Sequence, residues 1–147
     1  MAKKLFEKIK VTTLLFIAVV LLGFVLRFYL LGEIPVSMHR DEAFLGYNAY
    51  SILKTGKDMS GSFLPVHLES FFYSPAGYSY FSIPFIEIFG LSEFSVRFAG
   101  ALFGTLTIPL IFLISLNLFK ENKCKYWISL SSAFIFSIMP WHVNLSR

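Results

Sequence analysis

Three features of the chain predict an all-α integral membrane protein with three transmembrane helices and a long external loop that contains interfacial helices. Of the 147 residues, 56% are hydrophobic and only 15% are charged, against about 45–50% and about 25% in soluble domains. Three apolar runs, 11–31, 98–119 and 126–143, are long enough to cross a bilayer. Lysines cluster beside those runs rather than spreading over a surface. The same composition excludes intrinsic disorder, which needs low hydrophobicity and high net charge. A disulfide scaffold is excluded because Cys124 is the only cysteine.

Residues 1–10 hold Lys3, Lys4, Lys8 and Lys10 and form the expected cytoplasmic amino terminus. The first span, 11–31, contains a single charge, Arg27, near one end, where its stem can snorkel to the interface. A signal peptide has the same basic-then-apolar start, but its apolar core is about 7–15 residues followed by small residues. Gly32-Glu33-Ile34-Pro35 offers no such cleavage pattern, so the run reads as an uncleaved anchor.

Residues 32–97 form the external loop. Within it, 38–54 reads as an amphipathic helix with Ser37 as N-cap, Asp41 and Glu42 near the first turn and Gly56 past the end. Leu45, Ala49, Ile52 and Leu53 make its apolar stripe, expected to lie along the membrane interface with aromatic side chains among the headgroups. The stretch 76–90 is 15 residues with Pro84 and Glu87 inside, shorter than the about 20 residues a spanning helix needs. Counting it as a span would put Lys120, Lys123 and Lys125 outside, whereas three spans keep seven lysines cytoplasmic. It is therefore a second interfacial helix, with Glu87 facing water.

The second span, 98–119, opens with Ala99, Gly100, Ala101 and Gly104, small residues that let helices approach closely. A cytoplasmic loop, 120–125, leads to the third span, 126–143, flanked by Trp127 and Trp141 and stopped by Pro140 near its far end. Residues 144–147 are the external end. Cys124 then stays reduced on the cytoplasmic side.

The net charge of +4 does not indicate nucleic-acid binding, because no basic stripe interleaves with aromatic residues. His39, His67 and His142 are too dispersed for a metal signature. Asp41, Glu42 and His39 are the only group suited to a divalent cation, and they are too few. No cofactor is expected. Asp41-Glu42 is the sharpest chemical feature. Acids at a helix start gain about 0.3–1 kcal/mol from the macrodipole, which is sufficient to account for them. The alternative is a carboxylate at the membrane surface, flanked by His39 and Arg40, acting as general base. Arg97 and Arg147 stand at the outer ends of spans, either as snorkelling anchors or as forks that grip a phosphate.

The order of features resembles the start of polytopic type C glycosyltransferases, among them the protein O-mannosyltransferases (dolichyl-phosphate-mannose-protein mannosyltransferases) and the aminoarabinose lipid A transferases. The stretches that carry the resemblance are His39-Arg40-Asp41-Glu42-Ala43 with Gly46-Tyr47-Asn48-Ala49-Tyr50-Ser51-Ile52-Leu53, then Phe89-Gly90-Leu91-Ser92-Glu93-Phe94-Ser95-Val96-Arg97, then Pro140-Trp141-His142 with Ser146-Arg147. The resemblance implies a polyprenyl-phosphate sugar as donor, a protein, lipid or glycan hydroxyl as acceptor, and inverting transfer on the outer face. It implies Asp41 as catalytic base, Glu42 as its support, and Arg147, with Arg97, His39 and Arg40, on the substrate phosphate side. Where such proteins carry a Lys-Pro-Pro-like motif this chain reads Phe72-Tyr73-Ser74-Pro75-Ala76. They also have more spans, so the chain is expected to correspond to their amino-terminal portion. The residues alone also fit a non-enzymatic membrane protein, such as a transporter subunit or assembly factor, or an inactive truncation product.

Overall fold

A computed structural model describes residues 2–69 and 73–147, with side chains from residue 11 onward. The flanking lysines of residues 1–10 and Phe72 of the stretch compared above lie outside the described side chains. Among the described residues the chain is mostly helical. The helices are α1 (Ala2–Phe28), α2 (Arg40–Thr55), α3 (Gly77–Phe89), α4 (Glu93–Leu118), α5 (Lys125–Ile138) and α6 (Pro140–Leu145). A short antiparallel ladder, β1 (His67–Leu68) with β2 (Ser74–Pro75), departs from the all-α expectation. It forms where the segments 57–69 and 73–76 pack beside α2, and their backbone needs partners of its own. The chain divides into two compact units, one of the segments up to Tyr29 and Gly100–Arg147, the other Leu30–Ala99.

In the first unit, α1 packs on α5, and the two share a core with α4. Val19, Ile108, Leu130 and Ala133 are buried at its centre, with Phe16 and Phe112 in ring contact at 4.4 Å. Val11–Phe28 and α4 are long and apolar enough to cross a membrane. Only 22% and 28% of those stretches are buried. Leu14, Leu21, Val25, Leu110 and Ile114 stand among the many exposed apolar side chains.

Two boundaries differ from the sequence expectation. The run 11–31 leaves the helix at Phe28, and Leu31 is buried in the other unit. The second helix starts at Glu93, five residues before the apolar run. Ser92 and Ser95 explain this by capping reciprocally: the Ser95 N–H donates to Ser92 Oγ (3.2 Å) and the Ser92 N–H to Ser95 Oγ (3.0 Å).

The third run is not one helix over 126–143. Met139 is extended (φ −60°, ψ 116°), as the residue before a proline prefers, and Pro140 opens α6 rather than merely stopping α5. The 14 residues of α5 reach about 21 Å at 1.5 Å per residue, less than the ~30 Å hydrocarbon layer. Hydroxyls along these helices are satisfied internally, Ser129 donating to Lys125 O, Ser132 to Ile128 O and Thr105 to Ala101 O.

In the second unit, α2 packs on α3. The amphipathic stripe of α2 is core, not lipid-facing: Ala49 packs with Ile86 and Val96, and Ile52 with Leu68 and Ala76, while Leu45 and Leu53 border these clusters. The stripe is consumed because α3 and the ladder offer it a protein surface. Asn48 ties the return loop to the helix, donating to Phe44 O (2.9 Å) and accepting from the Met59 N–H (3.1 Å). Exposed apolar side chains in this unit lie on α3, at Phe81, Ile88 and Phe89, and also on the loops, among them Val36, Phe63, Leu64 and Val66.

Candidate functional site

The start of α2 positions the carboxylates. Its N-cap is His39 rather than Ser37: the helix begins at Arg40, and the His39 side chain accepts from the Asp41 N–H at 3.4 Å. Since His39 Nδ1 is that acceptor, its 3.7 Å approach to Asp41 Oδ2 is outside hydrogen-bond range. Gly56 closes the helix at φ +70°, donating to Ile52 O at 2.8 Å, as expected from its place past the last turn.

Adjacent residues on this turn have opposite environments. The Asp41 side chain is 78% exposed and His39 74%. Asp41 lines a cleft of about 470 Å³ with Arg40, Phe44, Leu45, Ser74, Pro75 and Tyr78. Tyr78 is held at the cleft by its hydroxyl, which donates to Val96 O at 2.9 Å, and Ser79 ties α3 to α2 through Leu45 O at 2.8 Å. The cleft thus sets one carboxylate against an apolar floor with an aromatic wall.

Glu42 turns inward to Arg97, which is 1% exposed. Arg97 Nε donates to Glu42 Oε2 at 3.1 Å, and Nη2 approaches the same oxygen at 3.1 Å. Nη1 donates to Leu31 O (3.3 Å) and Pro35 O (3.2 Å) and lies 3.4 Å from Glu93 Oε2. Nη2 also donates to Ser37 O at 3.2 Å. These partners occupy the five N–H donors of the guanidinium. Arg97 therefore stands in the second turn of α4 as a clamp on residues 31–37 and Glu42, with no donor left over for a phosphate. Gly46 allows this approach of α2 to α4, because a Cβ there would come within 2.5 Å of Val96 Cγ2.

Of the residues expected at a site, His39, Arg40, Asp41, Glu42 and Arg97 are brought together in the second unit. Arg147 belongs to the first unit, where its Nη2 donates to Tyr29 O at 2.7 Å. Glu87 is exposed and lines a separate cleft with Tyr50 and Lys54. Among the described residues no group of three His, Cys, Asp or Glu side chains is placed to hold a metal ion.

Sequence reasoning missed Arg27. It does not snorkel but is fully buried in the first unit. Nη1 donates to Gly23 O (3.0 Å) and Ser137 O (3.1 Å), and Nη2 lies 2.7 Å from His142 Nδ1. The signal available in the sequence was a lone charge in an apolar run paired with a proline break in another. Comparison with protein-family models, with curated proteins and with solved structures finds no match to this chain.

Proposed function

We propose that the chain contributes the general-base carboxylate and surrounding membrane helices of a type C glycosyltransferase. Such an enzyme transfers a sugar from a polyprenyl phosphate to an acceptor hydroxyl. The observation that carries this reading is the division of labour between neighbours: Asp41 is open to a cleft while Glu42 is fixed to a buried arginine. A general base needs access to the hydroxyl it deprotonates and a rigid support. Acids recruited only by the helix dipole need neither a cleft nor a clamp.

In the proposed reaction, the Asp41 carboxylate takes the acceptor hydroxyl proton as that oxygen bonds to the anomeric carbon. The bond from that carbon to the phosphate oxygen breaks, the electron pair leaves with the phosphate, and the anomeric centre inverts. Glu42 and Arg97 hold the turn that carries Asp41. Arg147 is assigned to the charge developing on the phosphate.

The membrane setting is part of the same proposal. Helix α1 and α4 each span, α5 and α6 together complete a third crossing, and α3 rests at the interface on its exposed Phe81, Ile88 and Phe89. The amino terminus and 120–125 are cytoplasmic and the Asp41 loop is external. The reading is supported by the exposed apolar faces of α1 and α4 and by the internally bonded hydroxyls.

The test is transfer from polyprenyl-phosphate mannose to acceptor in membranes carrying the chain. Asp41→Asn is expected to lower the rate by about 100-fold or more without loss of membrane insertion. Wild-type rates in that variant would remove Asp41 as the base.

A further inference from the structure

The first unit buries a guanidinium that the proposed chemistry does not use. Arg27 is 0% exposed, and among the described residues it makes no ion pair with a carboxylate. Its location follows from the break in the third apolar run. In a continuous helix Ser137 O would accept from the N–H of residue 141. Pro140 starts a new helix, so that carbonyl at the end of α5 loses its partner. Arg27 Nη1 supplies the missing donor, and a cation there suits the negative end of the helix dipole.

On the other side of the break, Arg27 Nη2 reaches His142 Nδ1 at 2.7 Å. The guanidinium can only donate, so Nδ1 is the acceptor and the imidazole carries its proton on Nε2. Ser146 Oγ donates back to His142 O at 2.7 Å. The end of α6 is pressed against α4 at Gly104, where a Cβ would come within 2.5 Å of Ser146 Cβ. Arg147 follows directly and donates to Tyr29 O. The contact is reciprocal: α1 grips both sides of the α5–α6 break through Arg27, and Arg147, two residues past α6, grips Tyr29, the residue after α1. Arg147 stays partly exposed and commits only Nη2 to protein among the described residues.

We propose that Arg27 is a positioning residue for Arg147. By fixing the direction in which α6 leaves the break, it sets where the Arg147 guanidinium meets a phosphate monoester at the membrane surface. The inference rests on the reading of Arg147 as the phosphate-contacting arginine, and the experiment separates the two.

Binding of farnesyl phosphate, with farnesol as the uncharged control, is measured on the detergent-solubilised chain for wild type, Arg27→Gln, Arg147→Ala and the double variant. Each single change is expected to weaken farnesyl phosphate binding about tenfold, and the double variant to be within about twofold of Arg147→Ala, the non-additivity of coupled residues. Farnesol binding is expected to be equal in all four. Additive losses, or wild-type binding in Arg27→Gln beside a weakened Arg147→Ala, overturn the positioning role. Wild-type binding in Arg147→Ala overturns the reading of Arg147 itself. If Arg27→Gln does not fold, His142→Ala removes one of the three contacts. Its loss of about two- to threefold should likewise vanish in the Arg147→Ala background, and persistence there overturns the proposal.

Discussion

Arg97 and Arg27 are 1% and 0% exposed, and each sits where a helix meets a reversal of the chain. Arg97 is neutralised by side chains, with Glu42 and Glu93 beside it and three carbonyls completing the set. Arg27 is hydrogen-bonded by two backbone carbonyls and an imidazole nitrogen, its Nε left without a partner. The first arrangement fixes a loop beside an exposed carboxylate, Asp41. The second tolerates an apolar unit in which a carboxylate would itself need compensation. The difference shows that a buried charge is placed by the orphaned groups around it, whether acids or carbonyls.

Removing the guanidinium in each place is the sharpest way to test the contrast. Arg97→Met leaves Glu42 half-buried without its cation and frees three carbonyls, so it should cost about 3–5 kcal/mol, the usual penalty for breaking a buried ion pair. Arg27→Met orphans one carbonyl and an imidazole nitrogen but strands no opposite charge, and about 1–3 kcal/mol is expected. Unfolding of the two variants in the same detergent checks the order. A larger loss at Arg27 would mean that an anion not accounted for by its carbonyls sits against it. Gly46→Val tests whether Arg97 depends on the close approach of α2 to α4. Overpacking against Val96 should cost about 1–3 kcal/mol and release Glu42. The smallest effect is expected at Gly56→Ala, about 1 kcal/mol for a side chain at φ +70°, with the Asp41 cleft unaffected.

The helices were legible wherever periodicity or apolar length was decisive. The α2 pattern from 38 to 54 and the stretch 76–90 reproduce helices of nearly the same bounds. The errors came where a pattern has two physical solutions. The stripe Leu45–Ala49–Ile52–Leu53 suits lipid or protein equally, and only the fold shows that Ile86 and Leu68 cover it. Pro140 suits a helix end or a helix start, and only the backbone at Met139 decides. Arg27 near the end of an apolar run reads as a snorkelling anchor until the α5–α6 break supplies its acceptor, 110 residues away in sequence. At the site, the Asp41-Glu42 pair was visible. Its division into an open and a clamped carboxylate was not, because the clamp comes from Arg97, 55 residues on.

Measuring Asp41→Asn beside Glu42→Gln in one preparation tests that division most directly. Asp41→Asn should change stability by less than about 1 kcal/mol, the most its dipole interaction supplies, while abolishing sugar transfer. Glu42→Gln should lower stability with Arg97 left unpaired and retain transfer in the fraction that stays folded. The reverse pattern, stability lost at Asp41 and chemistry lost at Glu42, would contradict it.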